Sequence, residues 1–286
     1  MTGGPPPAPK KLLVLSMNRD TRNLFLQRCI WNSLGFRLLR CWNALDRRVR
    51  MTLFNRSLQC ATNGEMWLPT LLPASPTVCD VGFYEGEYTE AIRRLRPNAR
   101  IICFDPSRSA KRCFDLKDYG AGASFVHAAL DKVNGQAQFH DYHNMCGSLS
   151  ARTDAGELQE LYSVPVYRLD TWASEHGVEH VDLLKIDAEG YDANILEGAT
   201  QLLSRQSIDI FQFEYADGWI ANRRFLVDVV RLLEDKPYGL FRLFNGFLVE
   251  FEYSTLEERF DLGTMMVGVS VNRLARGDIK VRAARI

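Results

Sequence analysis

No apolar run in this chain approaches the roughly 20 residues that a membrane-spanning helix needs. Leu12–Leu15, the longest run near the start, is too short even for the core of a secretory signal. No two of the seven cysteines form a Cys-x-x-Cys pair. That excludes a patterned disulfide framework and points to reduced thiols in a cytoplasmic setting. Internal repeats are missing too. Acidic residues are nearly missing from the first 60 positions, which hold eleven Lys or Arg against two Asp, a net of +9. Because the whole chain is neutral, the remainder carries the opposite excess. Such asymmetry assigns the start of the chain a job of its own.

What is present divides into three stretches. Residues 1–20 open on a Pro/Gly-rich run and are expected to be disordered. Residues 21–70 form a basic helical extension and linker. Leu24, Phe25, Trp31, Leu34, Leu38 and Leu39 recur at helical spacing among arginines, and Pro69, Pro73 and Pro76 lead out of it. Such a helix either packs on the main domain or makes peripheral contact with a membrane; an organellar transit segment is a further reading. Residues 71–286 alternate strand and helix patterns, which predicts an α/β domain with a doubly wound, mostly parallel sheet. "TVCDVG", "RIICFDPS", "SFVHAALD", "VDLLKIDAEG" and "IDIFQFEY" read as its strands. "GLFRLFNGFLVEFEY" and "TMMVGVSVN" read as a closing antiparallel pair at the edge, turned at Asn245-Gly246.

Ligands of open α/β sheets bind beyond the carboxyl ends of the strands. Acids stand at five successive predicted strand ends here: Asp80, Asp105, Asp131, Asp187 with Glu189, and Glu214. The first turn reads Asp80-x-Gly82-x-x-x-Gly86, with Tyr84 where a dinucleotide fingerprint has its middle glycine. A carboxylate at Asp80 repels a pyrophosphate and suits a cation. S-adenosylmethionine, with an ammonium and a sulfonium and no phosphate, fits that sign. Gly82 and Gly86 would let the backbone approach it, and Asp105 would accept from its ribose hydroxyls.

In "VDLLKIDAEGYDANILEGA", Lys185, Asp187 and Glu189 alternate and share one face while strand geometry lasts. Such a cluster at the end of a central strand is costly to bury without a role. Asp187, Glu189 and Glu214 could together hold a divalent metal, although nothing in their spacing demands one. His140, His143 and Cys146 stand three apart, as zinc ligands do, with no fourth partner evident; polar residues of a hairpin are the plainer reading. His127, His176 and His180 read as structural.

"VCDVGFYEGEYT", "IICFDPS", "AALDKVNG", "GSLS", "VYRLDTW" and "VDLLKIDAEGYDANILEGA", in that order, resemble the FkbM family of methyltransferases over roughly Val78 to Val271. The resemblance implies a class I, Rossmann-like, seven-stranded sheet and S-adenosylmethionine-dependent O-methylation of a sugar, glycolipid or polyketide-type acceptor. It puts the cofactor on Asp80, Gly82, Gly86 and Asp105, with Ala129 and Leu130 near the adenine, and the active-site block on Asp187 and Glu189. The family usually has Ala-Asn after its first glycine. Phe83-Tyr84 stand there in this chain, which sets Tyr84 on the cofactor side.

Methyl transfer to oxygen needs in-line alignment and a base for the hydroxyl proton. Asp187 is the first candidate, with Glu189, Glu214, Lys185 and His143 beside it. The expected partner is a small-molecule or glycan hydroxyl. No nucleic-acid partner is expected: the aromatic tail segment Phe241–Tyr253 has too few basic residues to track phosphates, and the charge of the +9 N-terminal segment does not by itself choose between nucleic acid and anionic lipid. A NAD-dependent oxidoreductase on a similar fold and a non-catalytic methyltransferase-like binding module are the competing classes.

Overall fold

A computed structural model describes residues 63–142, 147–151, 157–260 and 263–283, together with the helical positions Arg37, Cys41, Leu45 and Val49. The chain divides into two compact units, Met1–Leu53 and Phe54–Ile286. In the first unit the four described positions stand four residues apart in helix, and all are exposed. Expectations for residues 1–20 and for the rest of the basic stretch up to residue 62 lie outside the described residues. No helix among the described residues is long and apolar enough to cross a membrane.

The second unit is built on a nine-stranded sheet. Its strands are β1 (Thr77–Val81), β2 (Arg100–Phe104), β3 (Ala123–Val126), β7 (Val181–Ile186), β8 (Ile208–Tyr215), β9 (Tyr238–Phe244), β10 (Phe247–Glu250), β11 (Thr264–Ser270) and β12 (Val281–Arg282). Spatial order is β12-β10-β9-β11-β8-β7-β1-β2-β3. Strands β3, β2, β1, β7 and β8 pair in parallel. Strand β11 pairs antiparallel with both β8 and β9, so β9 runs in the same direction as β8.

This sheet corrects the sequence reading in two respects. It has nine strands and not seven, because the Asn245-Gly246 hairpin adds β10 and the chain end adds β12 beyond β9. The expected antiparallel edge is present, since β10 pairs antiparallel with β9 and β12 runs alongside β10, but antiparallel pairing is not confined to it. Strand β11 is inserted between β8 and β9, where its apolar alternation is covered on both sides. A third correction concerns "SFVHAALD", which breaks into β3 and β4 (Ala129–Leu130). The Ala128 amide turns back to the Val126 carbonyl at 2.9 Å. Strand β4 then joins a second, three-stranded sheet with the hairpin strands β5 (Gly135–Tyr142) and β6 (Leu158–Tyr167).

Helices cover both faces, as parallel crossovers require. They are α1 (Glu87–Leu95), α2 (Arg108–Leu116), α3 (Leu169–Glu175), α4 (Asp192–Gly198), α5 (Thr200–Ser204), α6 (Gly218–Ala221), α7 (Leu226–Leu233) and α8 (Val271–Leu274). One core packs Trp172, Leu196, Phe213, Trp219 and Val229 together. The other packs Leu68, Tyr88, Ile92, Ile101 and Leu183, so the segment before β1 is part of it. Trp172 and Trp219 are buried core residues.

Side chains two apart on a strand share a face, and that rule orders the second core into tiers. Val78, Ile101, Leu183 and Ile210 form its apolar floor. Two residues further along stand Asp80, Cys103, Lys185 and Gln212, all buried. Register aligns them in one row, with Asp80 between Cys103 and Lys185, and Lys185 between Asp80 and Gln212. Two residues further again come Gly82, Asp105, Asp187 and Glu214, at the carboxyl rim of the sheet.

Candidate active site

The glycine turn owes its shape to its neighbours inside the protein. Gly82 has φ 81°, and a Cβ there would lie 1.9 Å from the Asp187 carbonyl oxygen. Only glycine lets β1 leave the sheet this close to β7. Gly86 caps α1, and its Cα faces the Phe83 and Tyr119 rings; a Cβ would meet the Tyr119 hydroxyl at 2.2 Å. The close approach expected of these two glycines is therefore to protein groups. Phe83 turns inward, 3% exposed, with ring centroids 5.5 Å from Phe114, 5.8 Å from Tyr119 and 5.5 Å from Phe125. Each such edge-to-face pair adds about 0.5–1.5 kcal/mol. Tyr84 points outward, 44% exposed, on a backbone with φ 51°. The departure from Ala-Asn thus splits into one core anchor and one exposed ring at the mouth of the turn.

Asp80 is fully enclosed. Its Oδ2 accepts from the Thr89 hydroxyl at 2.6 Å, and its Oδ1 lies 3.6 Å from the Lys185 ammonium with no hydrogen-bond donor. Burial pushes its carboxyl up, against the pull of Lys185 and Thr89. The expectation that Asp80 meets a ligand cation directly is corrected, because Lys185 already occupies that position. Lys185 Nζ donates to the Gly82 carbonyl at 3.1 Å and to Asp187 Oδ2 at 3.3 Å. Burial works to lower this ammonium, but Asp187, Asp80 and Glu65 outweigh it and hold it above the ordinary lysine range.

Asp105 sits where β2 ends, and its two oxygens accept from the Tyr84 amide at 2.9 Å and the Ser107 amide at 2.7 Å. It staples the glycine turn to the start of α2. Burial raises its carboxyl to about 6, although both amides and Lys185 oppose the shift. Ala129 and Leu130 are both buried, paired with Val166 and Tyr167. His127, Ala128 and Tyr167 beside them line an open groove of about 550 Å³.

At the rim, the Asp187 side chain is 41% exposed and its amide donates to the Val81 carbonyl at 3.0 Å. The expected shared face of Lys185, Asp187 and Glu189 ends early. Strand β7 stops at Ile186, and Glu189 has φ 52°, so the chain has already turned toward α4. Glu214 is drawn into the same negative region. Burial first, then Asp187, Asp192 and Glu189, raise its carboxyl to about 8. Asp192, 1% exposed with Oδ1 lacking a donor, is raised to about 7 by burial and by Asp187.

Three members of this site escaped the sequence reading: Asp192, Gln212 and Glu65. Gln212 carried a usable signal, since it precedes Glu214 by two residues as Lys185 precedes Asp187. Glu65 carried none.

The metal readings fare differently. Among the described residues, the group of three metal-type ligand atoms lying within 4.8 Å of one another is His180, Asp182 and Asp209, at the opposite end of β7 and β8. Asp187, Glu189 and Glu214 do not converge in that way. At the opposite end, Arg276 Nη2 lies 2.9 Å from Asp209, which marks an ion-pair network. His143 and Cys146 lie outside the described residues. His140 is bridged through its backbone to Ser148 of the "GSLS" stretch. Ser150 in that stretch donates to Asn222 at 2.6 Å and meets the Tyr191 hydroxyl at 3.0 Å, which ties the hairpin to α4 and α6.

A family model for the methyltransferase FkbM domain matches residues 80–240. The chain belongs to the FkbM family of methyltransferases. The matched stretch of this FkbM protein runs from the end of β1 into β9 of the α/β sheet. The 2-O-methyltransferase NoeI of Sinorhizobium fredii is 29% identical to it over 157 residues, covering 50% of this chain and 64% of NoeI. The chain thus spans less than two thirds of that relative. The methyltransferase sdnD of Sordaria araneosa is 23% identical over 208 residues, covering 60% of this chain and 76% of sdnD. Among solved structures, an FkbM methyltransferase from Methylobacillus flagellatus shares 13% identity at a TM-score of 0.43, over 68% of this chain and 44% of that one.

Proposed function

We propose that this FkbM methyltransferase draws its methyl group from S-adenosylmethionine and places it on a hydroxyl of a glycan or other small-molecule acceptor. One observation carries the reading: the rim of the sheet is lined by Asp105, Asp187, Asp192 and Glu214, while Lys185, the cation buried beneath it, is already engaged by Asp80, Asp187 and Gly82. That balance favours a ligand bearing positive groups and disfavours the pyrophosphate of a nicotinamide cofactor. S-adenosylmethionine supplies a methyl carbon already activated by its sulfonium.

The chain's own residues do the rest. Tyr84 and the turn from Gly82 to Gly86 form the cofactor-side wall, and Asp105 sets the wall's position against α2. Asp187, held by Lys185, accepts a hydrogen bond from the acceptor hydroxyl and aims it. Glu214, with its carboxyl raised to about 8, takes the proton. A carboxylate at its ordinary value is a poor base for an alcohol, and burial with neighbouring negative charge corrects that mismatch. This moves the base role from Asp187, the first candidate from sequence, to Glu214. That NoeI is a 2-O-methyltransferase agrees with oxygen as the acceptor atom.

The test separates binding from turnover. Asp187→Asn should leave the affinity for S-adenosylhomocysteine within a few-fold of wild type. Label transfer from tritiated S-adenosylmethionine to a panel of glycans and small hydroxylated compounds should fall by about 10²-fold or more. Thermal stabilisation by NAD, with none from S-adenosylhomocysteine, would overturn the cofactor assignment.

A further inference from the structure

Glu65 lies outside the family-matched stretch, in the segment that precedes β1. It is nevertheless 4% exposed, and its Oε1 accepts from Gln212 Nε2 at 2.9 Å. Gln212 is fully buried and stands opposite Lys185 across the β7–β8 register. Glu65 therefore joins the buried row of Asp80, Lys185 and Gln212 from outside the sheet. Tyr88 closes the same space from α1. Its hydroxyl is 3.5 Å from Gln212 Oε1, and its ring centroid is 5.6 Å from the Lys185 ammonium.

The approach is a built one. Gly64 has φ 101°, and a Cβ there would sit 2.8 Å from both the carbonyl carbon and oxygen of Phe244. Only glycine brings the backbone that close to β9. The Glu65 amide is fixed by Asn63 Oδ1 at 2.9 Å. A carboxylate is expensive to bury, and a surface residue would serve equally well if the segment needed only an anchor. Leu68 and Leu72 already supply an apolar anchor in that segment.

We infer that Glu65 is a positioning residue of the cofactor site, holding Gln212 and Lys185 so that the ammonium spans the Gly82 carbonyl and the Asp187 carboxylate. The glycine turn and the residue that aims the acceptor are then braced by a segment that the family domain does not include. The inference rests on the S-adenosylmethionine reading above.

It is tested by isothermal titration of the full chain with S-adenosylhomocysteine, in three forms: wild type, Glu65→Gln, and the exchange E65Q/Q212E. The exchange keeps the hydrogen bond and the net charge and only swaps which residue carries each. The single variant should bind about tenfold more weakly, and the exchange should return to within threefold of wild type. A purely structural anchor would lower the melting temperature without this split in affinity. If the wild type binds no S-adenosylhomocysteine, the cofactor reading fails and takes the inference with it. If the wild type binds and the single variant binds equally well, the inference alone is overturned. Should the single variant fail to fold, the exchange decides: it supports the inference if it binds within threefold of wild type, and overturns it if it folds and does not bind.

Discussion

Lys185→Met should destabilise the protein by about 3–5 kcal/mol, the usual cost of stranding one partner of a buried ion pair. Met matches the lysine stem in length and leaves the apolar packing largely intact, so the loss isolates the charge. It falls on Asp80, which is fully enclosed and would keep the Thr89 hydroxyl as its remaining close donor. The Gly82 carbonyl and the Asp187 carboxylate lose the same donor. The deficit should depend on pH with a definite sign. Burial already raises the Asp80 carboxyl, and removing the ammonium raises it further. A group whose folded pKa lies above its unfolded value contributes stability below the unfolded value and loses it as pH rises. The variant should therefore fall furthest behind wild type at pH 8–9 and recover part of the gap near pH 5. Adding Asp80→Asn should recover stability at high pH, because the stranded charge is then gone. Urea denaturation of the three forms at two pH values measures all of this. A Lys185→Met deficit below about 1 kcal/mol at pH 8 would show that the pair is solvated and the buried row is not a unit.

The same row shows where the sequence could be read and where it could not. Alternating strand and helix patterns, the glycine turn and the Lys185–Asp187 stretch are local features, and local spacing decides them. Asp80 was recognisable as special because an acid stood before a glycine turn. Its partner was not, since Lys185 is more than a hundred residues away and meets it only through β1–β7 register. The sign argument for Asp80 was sound in kind, because the carboxylate does hold an ammonium, but the ammonium belongs to the protein. The strand count failed for a related reason. Strand β12 adds to an edge, and edge pairing over two residues leaves little trace in periodicity, whereas the Asn245-Gly246 turn did mark β10. Glu65 had no local mark, since a lone acid in a linker reads as solvent-facing until the fold carries it under the sheet.

Glu214→Gln should stabilise the protein at alkaline pH while removing methyl transfer, and the two effects have one cause. Burial and the carboxylates of Asp187, Asp192 and Glu189 hold Glu214 near 8, well above the glutamate range. Its contribution to stability is therefore complete below about pH 4 and is lost as pH rises through about 8. Asp192, near 7, and Asp105, near 6, add to the same downward slope at lower pH. An amide of the same shape does not ionise, so the variant escapes the Glu214 share of the loss. Its melting temperature should match wild type near pH 5 and exceed it at pH 9, at about 2–4 °C for each kcal/mol recovered. Transfer should behave oppositely. In wild type the rate should rise with a midpoint near pH 8 as Glu214 ionises and level off about one unit higher. In Glu214→Gln it should be about 10²-fold lower or worse, with that rise gone. Asp187→Asn, by contrast, should keep the rise at a reduced rate, since it removes the residue that aims the hydroxyl and leaves the proton acceptor in place. A Glu214→Gln enzyme that melts below wild type at pH 9, or that keeps the rising limb, would return the base role to Asp187. The carboxylate that weakens the fold above pH 8 is the one the proposed mechanism requires, which is the expected conflict between stability and activity at a buried ionisable site.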